Sequence, residues 1–168
     1  MEFEIAKDKF IQTWGALGGS WGINRTMAQI HALLLVSKDS LCAEDIMEEL
    51  KISRGNTNQT IRELIDWGLV FKEFKIGERR EFFTAEKDIW AVAKQIVKER
   101  RKREIEPVRK ILNELKETKT NKESEEQKHF VKMISNIEDV VGKMDASVEK
   151  LIKLDESAIV GTLFKIFK

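Results

Sequence analysis

The sequence predicts a mainly α-helical chain interrupted once by a β-hairpin. Three observations carry this reading. Acids and Lys/Arg are interleaved along all 168 residues, 35% charged against 42% hydrophobic, with a single proline and no Gly/Ser tract; this is the composition of packed helices, not of a disordered chain. Apolar positions recur at helical spacing, between residues suited to caps and stops, as far as Gly68. Beyond Gly68 the period changes to alternation for two short runs, then returns to helical spacing.

The elements follow in order. From Glu2 to Leu17, the positions Phe3, Phe10, Trp14 and Leu17 form one stripe, and Gly18-Gly19 is the expected stop. Asn24 suits the cap of a second helix whose stripe is Met27, Ile30, Leu34 and Leu35. Leu41-Cys42-Ala43-Glu44-Asp45 opens a short third helix ending near Leu50. Ser53 caps a fourth, which stops at Trp67-Gly68. Leu69 to Ile76 and Arg80 to Thr84 then read as two strands around a turn at Gly77-Glu78-Arg79. Three helices followed by a hairpin make a winged helix-turn-helix. Helix resumes near Lys87 and meets Pro107, where a kink or a fresh helix start is expected because proline has no N–H to donate. A polar stretch, KETKTNKESEEQK from Lys116 to Lys128, precedes a last long helix. The expected organisation is a helix over 1–20, the winged unit over 21–86 and a helical region over 87–168.

In the last helix, Phe130, Ile134, Ile137, Val141, Met144, Val148 and Leu151 are separated alternately by four and three residues. That period of 3.5 is a coiled-coil seam. It serves equally to pair two chains or to pack along earlier helices of the same chain. The tail SAIVGTLFKIFK, residues 157–168, is apolar enough to be expected to dock.

Several classes of function are disfavoured. One cysteine, Cys42, allows no internal disulfide framework, and histidine is too scarce for a CxxC or HxxxH zinc site. Neither a phosphate-cradling Gly loop nor a nucleophile elbow nor a Cys–His pairing is present, so no enzyme and no cofactor is expected. No uncharged apolar run approaches the roughly 20 residues of a membrane span, and the start MEFEIAKDKF lacks an apolar leader core, so a cytoplasmic protein is expected. The net charge of +1 means that any anion-binding surface must be local.

The fourth helix supplies such a surface. On a helical wheel, Thr57, Ile61, Leu64 and Ile65 face inward, Asn56, Gln59 and Glu63 face outward, and Gly55, Thr60 and Arg62 lie on the flanks, with Asn58 in the same amide-rich run. Asn and Thr weaken a helix by up to roughly 0.7 kcal/mol each relative to Ala, so something other than helicity favours them. An amide face suits the major groove, where Asn and Gln bridge adenine N6 and N7, Thr meets a thymine methyl and Arg takes guanine. Gly55 would allow close approach of a sugar-phosphate backbone, while Ser53, Arg54 and the helix N-terminus hold phosphate. On the hairpin, Arg79 and Arg80 at the tip, with Lys72 and Lys75 behind, can reach a neighbouring minor groove.

The runs GINRTMAQIHALLLVS, LCAEDIMEELKISRGNTNQTIRELIDWGLV and GERREFFTA together resemble the GbsR branch of the MarR family of transcriptional regulators, over roughly Trp14 to Leu115. The resemblance implies a winged-helix homodimer that binds double-stranded DNA, with Ser53 to Arg62 as recognition helix and Arg79-Arg80 as wing tip. It also implies that Glu2 to Leu17 and the C-terminal helices build the dimer interface; Phe3, Phe10 and, from the heptad spacing, the 130–151 seam are the candidate residues. A small-molecule effector, unidentified, would act by changing the spacing of the two recognition helices.

Other features have plainer accounts. The basic run KERRKRE, Lys98 to Glu104, reads first as a solvated helix face and second as phosphate contacts from Lys98, Arg100, Arg101 or Arg103. Cys42 reads as a buried small residue ahead of a thiol sensor. Trp14, Trp21, Trp67 and Trp90, with Phe3 and Phe10, read as core ahead of an aromatic cage for a quaternary ammonium. His31 is expected to be half-buried and hydrogen-bonded, and neither it nor His129 reads as a metal ligand.

Overall fold

The computed structural model describes residues 1–20, 22–117 and 124–154. Trp21 and the apolar tail therefore lie outside the described residues. The fold is mainly α with one small sheet, and the chain divides into two compact units, Met1–Gln95 and Ile96–Lys168.

In the first unit, α1 (Phe3–Ser20), α2 (Arg25–Val36), α3 (Ala43–Leu50) and α4 (Arg54–Asp66) precede the strands β2 (Val70–Glu73) and β3 (Phe82–Ala85). Helix α2 is the centre. Ile30, His31, Ala32, Leu33 and Leu34 are all buried, so this stretch has no solvent face, as expected of a helix packed on every side. At its start Asn24 Oδ1 accepts from the backbone N–H of Thr26 (2.8 Å) and Met27 (3.3 Å). At its end Lys87 Nζ donates to the carbonyls of Leu34 (2.6 Å), Leu35 (3.0 Å) and Ser37 (2.8 Å). A cation among the unpaired carbonyls of a helix C-terminus satisfies both hydrogen bonding and the helix dipole.

Two expectations for α1 are corrected. Its packed face is Ile11, Gly15 and Gly18, while Phe3 is 75% and Leu17 39% exposed. Gly18 is not a stop but a point of close approach, since a Cβ placed there would lie 2.6 Å from Ala28 Cβ. The helix runs on to Ser20, and Gly22 has a φ of +75°, the left-handed conformation of a C-terminal cap; the Ile23 N–H returns to the Gly18 carbonyl at 2.8 Å.

A third strand appears where the third helix was expected to open. Leu41–Cys42 form β1, paired antiparallel with Phe83 and Phe82 of β3, giving the sheet order β1-β3-β2. Asp45 explains the boundary, because its carboxylate accepts from the extended Cys42 N–H at 2.8 Å and so caps α3 one residue later. The β2–β3 register runs from Val70 opposite Ala85 to Glu73 opposite Phe82. The paired segments are thus shorter than alternation predicted, and 74–81 form the wing loop.

The second unit contains the end of α5 (Ile89–Arg100), α6 (Glu106–Lys116) and α7 (Glu125–Lys153). Between α5 and α6 the backbone makes a π-helical turn, Arg101–Ile105, and Pro107 lies in the first turn of α6. That position tolerates the missing N–H. Asp145 of α7, 2% exposed, accepts from Arg101 Nη2 at 3.0 Å and Arg109 Nη1 at 2.7 Å. The Arg101 hydrogen bond, joined by that of Arg109, holds its carboxyl below the usual carboxylate range. The basic run is therefore largely ion-paired: besides Arg101, Arg100 bonds Glu104 (3.0 Å) and Arg103 bonds Glu99 (3.4 Å).

His31 also departs from expectation. It is 3% exposed, lies 6.3 Å from the Trp14 ring, and its Nε2 has no hydrogen-bond partner among the described residues. Burial, aided by the Lys87 charge, lowers its pKa from 6.5 to about 4. The unfolded chain then binds this proton below pH 6.5 while the folded chain refuses it until about 4, so stability falls as pH is lowered through that window. The expected loss by the acid end is about 3 kcal/mol at 1.36 kcal/mol per unit. Urea unfolding against pH should show this slope for the natural chain and lack it for His31→Leu. Separately, Asp145→Asn leaves two guanidiniums facing a neutral amide and is expected to destabilise by about 2 kcal/mol, measurable as a lower urea midpoint.

Candidate nucleic-acid interface

Helix α4 is built on two hydroxyls at its start. Ser53 Oγ accepts from the Asn56 N–H at 3.4 Å, and the Thr57 hydroxyl donates to the Ser53 carbonyl at 3.0 Å. Thr57, Thr60, Ile61 and Leu64 are buried, which sets the rotation of the helix and leaves Ser53, Arg54, Gly55, Asn56, Gln59 and Arg62 exposed, with Asn58 half-buried. Thr60 is the one residue of the expected reading face that is turned away. At 3% exposure it lies behind the face, and its hydroxyl donates to Asn56 Oδ1 at 3.2 Å. Its role is to orient that amide.

Two other face residues have polar partners. Arg54 pairs with Glu44 at 3.0 Å, and Gln59 Nε2 donates to Glu63 Oε1 at 3.1 Å; both pairs are exposed, and such contacts contribute little to stability. A Cβ placed on Gly55 would meet nothing within 4 Å. No contact among the described residues requires glycine there.

The wing adjoins α4 across a cleft of about 210 Å³ lined by Asn58, Ile61, Arg62, Ile65, Lys72, Glu81 and Phe83. Its expected cations divide unequally. Lys72 pairs with Glu81 at 2.6 Å. Lys75 lies 4.1 Å from the Phe82 ring centre and donates to the Ser40 carbonyl at 3.4 Å. Arg80 pairs with Glu78 at 3.3 Å and lies over the same ring. Arg79 is exposed. What sequence reasoning missed is the apolar part of the loop: Phe74 is 82% and Ile76 107% exposed. The available signal was an aliphatic residue directly before the turn glycine.

Cys42, 0% exposed, has its thiol pKa raised by burial, which makes it a core residue and a poor nucleophile. Among the described residues there is no group of three or more His, Cys, Asp or Glu able to hold a metal, and no helix is long and apolar enough to cross a membrane.

The residues expected at a dimer interface lie one set in each unit. On α1, Phe3 and Leu17 are exposed and Phe10 is half-buried, its ring 5.6 Å from that of Trp14. On α7 the seam is split. Phe130, Ile137, Met144 and Leu151 are 48%, 42%, 61% and 49% exposed, whereas Ile134, Val141 and Val148 are half-buried. The side of α7 that meets α6 and the π turn carries Glu138 and Asp145 in ion pairs.

Comparison with known proteins agrees with this architecture. Residues 21–81 match the MarR family, and the resemblance to its GbsR branch is borne out. The HTH-type transcriptional repressor GbsR of Bacillus subtilis (strain 168) is 28% identical over 87 residues, 52% of this chain and 48% of that protein. YvaV of the same organism is 22% identical over 87 residues, 52% and 49% of the two chains. The chain spans about half the length of these curated relatives. A crystal structure of a transcriptional regulator aligns over 88% of this chain and 95% of its own with a TM-score of 0.65 at 17% identity, which shows the shared fold.

Because Gly55 is helical, uncrowded and exposed, Gly55→Ala is expected to stabilise the protein by about 0.4–1 kcal/mol through the lower entropy of its unfolded chain. The measurement is the urea midpoint at constant m.

Proposed function

We propose that this chain, whose residues 21–81 match the MarR family, is a cytoplasmic transcriptional regulator that binds double-stranded DNA sequence-specifically as a homodimer. The observation that carries this reading is the outward face of α4. It combines an exposed helix N-terminus capped by Ser53, a glycine at 55 that no contact among the described residues requires, and an Asn56 amide oriented from behind by buried Thr60. A partner outside the chain accounts for all three. In the major groove the amides of Asn56, Asn58 and Gln59 would read base edges, Gly55 would admit the sugar-phosphate backbone, and Ser53, Arg54 and Arg62 would hold phosphate or guanine. Arg79 at the wing tip would continue the contact.

Exposed apolar stripes on α1 and α7 support self-association, since contiguous exposed apolar surface marks interaction sites. On α1, Phe3, Phe10 and Leu17 recur every seven residues, as do Phe130, Ile137, Met144 and Leu151 on α7. Two copies would present two α4 helices to half-sites about one helical turn, 10–10.5 bp, apart. An effector preferring one spacing of those helices would shift the DNA-competent population by its differential affinity.

Selection from a random duplex pool tests the reading. The natural protein should enrich a pseudo-palindrome. Asn56→Ala should relax base preference at one position per half-site, at a cost of about 1–3 kcal/mol, while Arg79→Ala should weaken all sequences alike. Gly55→Ala should bind less tightly although it is more stable. Absence of enrichment at low salt would overturn the proposal and favour a protein-docking role for the winged unit.

A further inference from the structure

The wing loop is a poor phosphate clamp. Lys72, Lys75 and Arg80 are each engaged within the first unit by Glu81, by the Phe82 ring and the Ser40 carbonyl, and by Glu78. Beyond them project two apolar side chains, Phe74 and Ile76, the second completely exposed.

The backbone holds Ile76 in place. The Glu78 N–H bonds the Lys75 carbonyl at 3.1 Å, closing a β-turn with Ile76 and Gly77 at its centre. Gly77 has φ +85°, and Lys51 is the sole non-glycine with positive φ among the described residues. Negative then positive φ is a type II turn, which requires glycine at the second central position and favours proline at the first. A β-branched aliphatic residue at that first position is not selected by turn chemistry, and no packing retains it there. A loop meant only to meet phosphates would carry Lys, Arg, Ser or Asn at this corner.

An aliphatic side chain at the tip gains from leaving water, and beyond the thymine methyls of the major groove the main apolar surface that a duplex offers is the faces of its stacked bases. We propose that Ile76 is a wedge that enters the minor groove beside the segment read by α4 and opens a base step, with Phe74 following it into the groove and Arg79 on the flanking backbone. This rests on the duplex-DNA reading above. Two features commit the occupant: the wing root and the α4 face share the cleft lined by Asn58, Arg62 and Lys72, and the exposed cation Arg79 lies three residues from Ile76. Apolar wedges of this kind unstack a step and bend DNA by about 20–90°. Pyrimidine–purine steps unstack most readily, so one such step should recur at a fixed distance outside each enriched half-site.

The test uses the full chain and its enriched duplex, with 2-aminopurine substituted in turn at each adenine of the flanks and a fluorophore pair at the duplex ends. The natural protein should raise 2-aminopurine fluorescence at one position per flank and shorten the end-to-end distance. Ile76→Ala should abolish the fluorescence rise and reduce the bend while leaving the unfolding midpoint unchanged, Ile76→Leu should preserve both signals, and Phe74→Ser should diminish them. A duplex bound tightly by the natural protein with no fluorescence change, or with the same change in Ile76→Ala, overturns the wedge and leaves the regulator reading standing. Failure of the natural protein to bind any duplex removes both.

Discussion

The first unit depends on one constraint: α2 is buried from Ile30 to Leu34 without a break, so its backbone ends cannot be finished by water alone. Asn24 meets this at the N-terminus and Lys87 at the C-terminus. The second contact spans about fifty residues of sequence and joins the chain leaving the wing to the end of the central helix. Because α1, α3, α4 and β3 all pack on α2, that cap places the sheet, and through it the wing, relative to the helix that carries the amide face. The same ammonium explains part of the resistance of His31 to protonation. A cation that completes the core and a histidine that refuses a proton belong to one electrostatic arrangement.

Close approach of α1 to α2 is a second constraint on the first unit. Gly18 lets α1 lie against Ala28 of α2, and the rotation this imposes buries Ile11 while turning Phe3 and Leu17 outward. A larger residue at 18 would separate the helices and change which stripe of α1 is left exposed. The apolar surface offered for self-association is therefore a consequence of a small residue elsewhere on the helix.

In the second unit, the packed side of α7 carries ion pairs beside half-buried apolar residues. Asp145 is held by two arginines, one at the start of the π turn and one on α6. Buried ion pairs are weak sources of net stability, though leaving one partner unpaired is costly. Here the pairing selects a rotation of α7 that leaves Phe130, Ile137, Met144 and Leu151 exposed. The heptad seam is thus divided between this exposed row and the half-buried row Ile134, Val141 and Val148, which interleaves with the ion-paired Glu138 and Asp145.

Much of this was legible in the sequence. Caps at Asn24 and Ser53, the change of period after Gly68 and the inward set Thr57, Ile61 and Leu64 are local properties, governed by backbone hydrogen-bonding needs and side-chain period within one element. Gly55, Asn56 and Gln59 were readable on the outer face for the same reason. Other features depended on partners distant in the chain. Leu41–Cys42 became a strand because β3 was available to pair with them and Asp45 capped the helix after them. Gly18 became a contact because Ala28 lies opposite, and Thr60 turned inward with the buried side of α4. The wing cations looked equivalent in sequence, yet Glu81, Phe82 and Glu78 engage three of them and leave an isoleucine at the tip. Period and caps are set by neighbours within a few residues, whereas which charge is neutralised and which apolar side chain stays in water is decided only when segments far apart in sequence meet.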